Sequence, residues 1–591
     1  MEKINKRSEN SSEVLAVATG DYELYPKHPL IGGHITQGYS NLAKRLSDKP
    51  VYVLDGYIGV DWEEVISGLG EAYEKLGRTV HFTDVSKFMK PVEEINALLE
   101  PFLGGDDPIF GKKATITLRD LWDPTALQEV ALNQGTDIHI VYGCGAALWH
   151  AGIPLIYVDL PKNVLQQRMK AGNVRNLGSP VFLGNKETYK RFYFVDWVLL
   201  NAHKKTLLPR IEVFIDQQTV GKPSWTEGAA LSASLRQLGR SYFRVRPWFE
   251  PGVWGGQWLK NRIPQLNQEV PNYAWSFEMI VPENGLVFGD GMHALEVSFD
   301  CLMYQEGELV LGKAYDRFGD DFPIRFDFLD TFDGGNLSLQ CHPTTSYIQD
   351  EFGEKFTQDE TYYIVDAKED ALVYLGFQEN IEPGTFRTAL EESYRQKVVL
   401  PVDRYVRKFP AKKHDLFLIP NGTVHCSGKN NLVLEISATP YIFTFKMYDW
   451  LRLDLDGQPR PLNIDRAFAN LNFERKGSVV EDTLISKPEV QQLDSRTRKV
   501  HLPTHPEHFY AIYRYEFEEE VVIHTAGQCH ILMLVEGETI ELQTASGDLG
   551  KFHYIETFAV SAASDWYSLR NRGNSMAKVI VAFVKEEACQ Q

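Results

Sequence analysis

The chain is short of the features that mark several large classes of protein. Its 591 residues include only six cysteines, at 144, 301, 341, 426, 529 and 589, and no two make a Cys-x-x-Cys pair. They read as free thiols in a reducing cytosol. No apolar run reaches the roughly 18 residues of a membrane span. The stretch from Met1 to Glu13 is polar and charged and lacks the apolar core of a signal peptide, so a cytoplasmic location is expected. Basic residues are also scarce, with 61 Lys and Arg against 80 Asp and Glu and a net charge of -19. That balance disfavours a nucleic-acid partner, because phosphate backbones recruit clustered Lys and Arg. It also means that a pocket for a phosphorylated ligand has to be positive locally, with Lys260, Lys446 and Arg452 as candidates. No short-period repeat is visible, and the oligomeric state stays open. Hydrophobic content of 43% with 24% charged residues is ordinary globular usage, and the length points to three or four domains.

Three short β-like segments then stand out. Gln340 and His342 lie two apart in Leu-Ser-Leu-Gln-Cys-His-Pro, so on a strand they share a face. Glu360 opens Glu-Thr-Tyr-Tyr-Ile, and His425 ends Ile-Pro-Asn-Gly-Thr-Val-His, where Pro420 and Gly422 make a tight turn before a strand. Two imidazoles, a carboxylate and an amide can hold one zinc and leave a position open, as a catalytic site needs. The competing reading is that each histidine is a satisfied core residue, and pattern alone leaves both open. Cys341 and Cys426 flank proposed ligands but are left out of the set. Glu435 lies among apolar neighbours in a β-rich run, and a buried carboxylate needs a partner or a metal.

These segments resemble the class I, zinc-dependent mannose-6-phosphate isomerases. The family reads Leu-Ser-x-Gln-x-His-Pro, then Glu-x-x-Tyr-Ile-x-Asp, then Ile-Pro-x-Gly-Thr-Val-His, and the same order holds here. Phe-Glu-Pro-Gly-Val-Trp-Gly-Gly at 249–256 and Ser-Phe-Glu-Met at 276–279 are similar to two upstream segments of its catalytic domain. The resemblance covers roughly 240–591 and implies a cupin-type β-barrel core. It implies that Gln340, His342, Glu360 and His425 hold one Zn2+, that Glu435 helps in proton transfer, and that Ser338 contacts the substrate phosphate. The implied reaction interconverts mannose 6-phosphate and fructose 6-phosphate through a cis-enediol, with the metal stabilising the developing oxyanion and a carboxylate moving the proton. Two positions depart from the family. Gln358 stands where many members carry a lysine, and Lys446 stands where the family has an arginine. Both fall on substrate handling and proton transfer, and lysine offers a point charge where arginine clamps phosphate bidentately. An isomerase for another sugar, or a metal-bound sensor with impaired turnover, are the alternatives.

The N-terminal part of the chain reads differently. Buried-strand signals at 51–56, 137–142 and 154–159 alternate with helical spacing at 62–76 and from 162 to about 170. Such alternation predicts a parallel sheet flanked by helices. The order resembles a P-loop kinase of the uridine-kinase type, but the places of the Gly-Lys-Ser/Thr triplet hold Asp61, Trp62 and Glu63. Two carboxylates and an indole there would repel a triphosphate and supply no lysine contact. Arg168 and Arg175 sit where a lid would lie and read as solvated helix residues. A degenerate domain with a scaffolding, regulatory or oligomerising role is expected.

The fold class expected is therefore multidomain: a degenerate kinase-like α/β domain at 1–230, a catalytic cupin domain at 240–480 and a cupin-like domain at 490–591. A linker is expected from 216 to about 240, and helical insertions near 387–396 and 463–472. His524 and His530 lack a companion motif and read as structural or solvated. If the N-terminal domain is only regulatory, removal of residues 1 to about 235 is expected to leave a folded, active core, whereas loss of solubility would mean that the domains pack as one unit.

Overall fold

The computed structural model describes residues 22–132, 135–454 and 457–590. The polar stretch from Met1 to Glu13 lies outside the described residues. The chain divides into two compact units. The first takes residues 26–238 and also Pro282–Glu306, and the second takes 22–25, Gly239–Val281 and residues from 307 onward.

The first unit is built on a seven-stranded sheet. Five of its strands are parallel and stand in the order Ile211–Asp216, Leu155–Asp159, Val51–Gly56, Ile138–Tyr142, Val80–Asp84. Ser224–Glu227 and Thr36–Gln37 extend it antiparallel. The central strand Val51–Gly56 is buried nearly throughout, as a parallel strand covered on both faces must be. Helix Trp62–Lys75 packs Val65, Leu69, Ala72 and Tyr73 on the sheet, which is the face its helical spacing predicts. The alternation of strands and helices read from the sequence is present.

Two expectations need correction here. Residues 216–240 are no linker, because they contain strand Ser224–Glu227 and helix Gly228–Leu238. The Gly-Ala-Ala run opens that helix where the backbone approaches closely: a Cβ on Gly228 would stand 1.7 Å from the Ile211 carbonyl oxygen. The segment Pro282–Glu306 also returns to the first unit. Its strand Gly285–Gly289 pairs in parallel with Lys27–Pro29 and antiparallel with Ala294–Ser298. The stretch 282–306 falls inside the expected catalytic domain at 240–480, yet Gly285 opens a hairpin that belongs to the first unit.

The second unit consists of antiparallel sheets, with two in each half. A six-stranded sheet runs in the order Trp248–Glu250, Trp275–Met279, Ile324–Asp330, Asn431–Ala438, Glu360–Ala367, Leu416–Ile419. A five-stranded sheet runs Val406–Pro410, Leu372–Phe377, His425–Ser427, Leu339–Cys341, Phe445–Tyr448. Helices Pro383–Gln396 and Ile464–Asn470 form the expected helical insertions. The later half pairs a seven-stranded sheet with a four-stranded one around Phe517, Leu532, Phe558 and Val579. A chain with several β-sheet modules after an α/β unit is consistent with the cupin-type fold expected. No helix among the described residues is long and apolar enough to cross a membrane.

Candidate metal centre

The two sheets of the first β half bring the three polar segments together. Strand pairing sets Gln340 opposite His425 on one side and opposite Lys446 on the other, and directly opposed residues of antiparallel strands share a face. On the six-stranded sheet, Asp327 lies opposite Glu435 and Glu435 opposite Tyr362, while Arg325 and Glu360 both lie opposite Ser437. Arg325, Asp327, Glu360, Tyr362 and Glu435 thus share one face through the alternation of side chains along a strand.

Across the interface, His342 Nε2 stands 2.9 Å from Glu360 Oε1, and His425 Nε2 stands 3.4 Å from Glu360 Oε2. The ligating atoms of His342, Glu360 and His425 all lie within 4.8 Å of one another, and all three residues are buried. The His342 ring places Nδ1 3.0 Å from the Phe443 carbonyl, and the His425 ring places Nδ1 2.9 Å from the Thr423 carbonyl. Each carbonyl accepts from an Nδ1–H, which leaves both Nε2 atoms as lone pairs turned to the same spot, the tautomer a metal requires. His342 Nε2 and Glu360 Oε2 have no hydrogen-bond partner. Two buried polar atoms without partners, beside a second imidazole lone pair, make a donor set that fits a zinc ion.

The electrostatics agree. Burial pushes the His425 imidazole down, which favours the neutral ligand form. Gln340 completes the ring of candidates, with its amide nitrogen 3.3 Å from His425 Nε2 and its Oε1 accepting from the Ser338 hydroxyl at 3.0 Å. Turning that amide over exchanges nitrogen for oxygen without moving the side chain and presents an oxygen to the centre. Cys341 points elsewhere, its thiol donating toward the Ala467 carbonyl at 3.9 Å.

Glu435 lies beside the cluster. Burial drives its carboxyl well above the usual range, and Arg325 pulls in the opposite direction. Arg325 binds Glu435 through Nη2, reaches Glu360 Oε1 at 3.3 Å, and donates from Nε to Ser437 Oγ at 2.6 Å. Arg325 and Asp327 were not singled out from the sequence. Their signal was present in Ile-Arg-Phe-Asp-Phe, where two charged residues alternate with apolar ones on a strand that is wholly buried. Gln358 donates from Nε2 to Glu360 Oε1 at 2.6 Å, and its own Oε1 is a buried acceptor without a partner. Lys446 is half-buried, and burial together with Arg460 pushes its ammonium down to about 8. Asp449 holds Arg452 and, at 3.1 Å, Arg460 next to it. Lys260 donates to the Val270 carbonyl at 2.7 Å and holds a loop.

In the first unit, the residues around Asp61 that the sequence reading compared with a phosphate-binding loop bond within the chain. Asp61 caps the helix by accepting from Glu64 N, and the Glu64 carboxylate accepts from Tyr39, Gln217 and Gly221. Arg168 is not solvated, since it donates to the carbonyls of Gly59 and Gln217 at 2.8 and 2.9 Å. Arg175 is exposed and donates to Pro180 O.

Residues 38–240 match a family described as "Domain of unknown function (DUF8485)". Mannose-6-phosphate isomerase ManA of Bacillus subtilis (strain 168) is 26% identical over 227 residues, 38% of this chain and 65% of that protein. The mannose-6-phosphate isomerase of Streptococcus mutans serotype c is 28% identical over 222 residues, 36% of this chain and 63% of that protein. The matched stretch thus spans a little under two thirds of these curated relatives. Among solved structures, the mannose 6-phosphate isomerase of Bacillus subtilis aligns with 19% identity and a TM-score of 0.46 over 58% of this chain and 99% of that one. Over about 38% of its length, the chain is homologous to the mannose-6-phosphate isomerases.

Proposed function

We propose that this chain is a zinc-dependent aldose-ketose isomerase that interconverts mannose 6-phosphate and fructose 6-phosphate through a cis-enediol. The observation that carries this reading is the His342, Glu360, His425 cluster, with both Nδ1 atoms tied to carbonyls and the inner lone pairs converging. Homology to isomerases of that name supports the substrate class. His342, Glu360, His425 and Gln340 would hold the ion, which when bound would polarise the sugar oxygens that gain negative charge.

The remaining work belongs to side chains already in place. Glu435, on the same face as Glu360, moves the proton between C1 and C2. Arg325 fixes that carboxylate and balances its charge. Lys446, beside Gln340, provides a positive charge for the phosphate. Ser338 would turn its single O–H from Gln340 to a phosphate oxygen when substrate arrives. Replacing Glu435 by Gln should lower kcat by about two to four orders of magnitude while zinc content is unchanged. Full turnover in that variant would remove Glu435 from the mechanism.

A second reading concerns the sugar. The unpartnered Gln358 Oε1 is an acceptor for a hydroxyl at a place where a lysine would only donate. An isomerase with a different preferred aldose phosphate would use it. A comparison of kcat/KM over several aldose phosphates, in wild type and in Gln358→Lys, separates the two. A shift of preference toward mannose 6-phosphate in the variant supports the second reading, and unchanged ratios support the first.

For the first unit, residues 26–238 with 282–306, the reading is a scaffold, regulatory or oligomerising domain of degenerate kinase-like design. Its support is that Asp61 and Glu64 occupy the loop that would otherwise face a triphosphate.

A further inference from the structure

The first unit buries two lysines at the carboxyl ends of its parallel strands, the edge where open α/β sheets take their ligands. Lys204 is fully buried and Lys162 is 3% exposed. Their ammonium groups stand over shared aromatic walls, Lys204 4.2 Å and Lys162 5.2 Å from the Tyr57 ring centroid, with Lys162 also 5.2 Å from that of Trp197. Two carboxylates balance them. Asp159 ends strand Leu155–Asp159 and lies 3.4 Å from Lys204. Asp300 lies 3.4 Å from Lys162 and 3.9 Å from Lys204.

The two carboxylates differ in origin. Asp159 belongs to the sheet. Asp300 arrives on the returning segment 282–306, which enters the chain after strand Trp275–Met279 and leads on to Ile324–Asp330. The same segment ties itself down with the Pro282 carbonyl on Lys162 at 3.2 Å, Glu283 on Gln166 at 2.7 Å and Glu296 N on Asp216 at 2.8 Å. Trp197 contributes its ring face to the wall beside Lys162. Two ammonium groups around a single removable carboxylate make a place for an oxyanion.

We infer that Lys162 and Lys204, between the rings of Tyr57 and Trp197, form a binding site for a small oxyanion, carboxylate or phosphoryl, which the Asp300 carboxylate fills in cis. An external oxyanion competes with Asp300, so occupancy of the site loosens the 282–306 strap. This site lies in the first unit and does not depend on the isomerase reading.

The test is Asp300→Ala in the full-length protein, with Asp300→Asn as the variant that removes the charge but keeps the space filled. Phosphate and formate are each compared with chloride at equal ionic strength, by thermal unfolding and, for phosphate, by 31P line width. Asp300→Ala should bind one of these anions at least tenfold more tightly than wild type or Asp300→Asn. Formate alone would identify a carboxylate ligand, and phosphate a phosphoryl one. A folded Asp300→Ala protein that responds to neither overturns the inference. If that variant does not fold, hydrogen exchange of 282–306 in wild type decides: faster exchange in formate or phosphate than in chloride supports the site, and equal exchange overturns it.

Discussion

Arg325 is the residue on which the centre is organised, because its single guanidinium meets Asp327, Glu360 and Glu435 on one buried face. Removing a buried cation leaves its carboxylates uncompensated, so Arg325→Met should lower stability by about 3–5 kcal/mol or abolish soluble expression. A variant that unfolds with the wild-type midpoint would show that the carboxylates are protonated instead. His342→Ala and His425→Ala should each lose the zinc, read as metal per protein by elemental analysis. Stoichiometric zinc in both would contradict the ligand assignment. Part of this was legible beforehand: Gln340 and His342, two apart on a strand, share a face, while the pairing of Gln340 with His425 came only with the fold. Arg325 was not singled out, because its three partners come from three strands and only folding brings them together. A further residue gives a pH dependence. Burial pushes the His414 imidazole down to about 4, Arg514 and Lys578 act in the same direction, and the Glu536 carboxylate opposes them. Between pH 6.5 and 4 the unfolded chain therefore binds a proton that the folded chain refuses, and stability falls as pH falls. Glu536, held at about 2 by Lys578, Lys413 and His414, stays ionised through that window. The loss should be about 1 kcal/mol after allowance for solvent screening, and His414→Gln should flatten it. An unchanged slope in that variant would assign the effect elsewhere.

Among the elements, the turn before strand His425–Ser427 carries the position of a ligand. Gly422 has φ +74, and a Cβ there would stand 2.5 Å from the Asn470 carbonyl oxygen. Both strain and contact act against a side chain, so Gly422→Ala should cost about 1–3 kcal/mol and weaken zinc retention in competition with a chelator. Equal retention would show that the turn does not set His425. The turn itself was readable from Pro-Asn-Gly, as were the parallel strands and the helix over 62–75. The helix at 228–238 was hidden because Gly-Ala-Ala reads as a linker when the packing partner, the Ile211 carbonyl, is unseen. The pairing of 285–289 with 27–29 was hidden for a similar reason: strand partners drawn from opposite sides of the whole α/β unit leave no local trace.

For the whole molecule, the returning segment changes what a truncation would do. Cutting away the segment 1–235 leaves Gly285–Gly289 without its Lys27–Pro29 neighbour and Asp300 without Lys162 and Lys204. The remaining protein should be poorly soluble, whereas a truncation that also closes the chain across 282–306 should behave better; equal solubility of the two would show that the strap is dispensable. The net charge of -19 sets the complementary demand at this scale, since a phosphorylated substrate can approach only where Lys446, Arg452 and Arg460 outweigh it. The measurement that tests the account most directly is a coupled assay for fructose 6-phosphate formed from mannose 6-phosphate, with zinc content read on the same sample, before chelation, after it and after zinc is returned. A zinc-dependent isomerase should carry close to one zinc per chain, lose turnover with the metal and regain it when zinc is returned. Turnover that survives complete removal of the metal, or a fully zinc-loaded protein that forms no ketose, would contradict that reading.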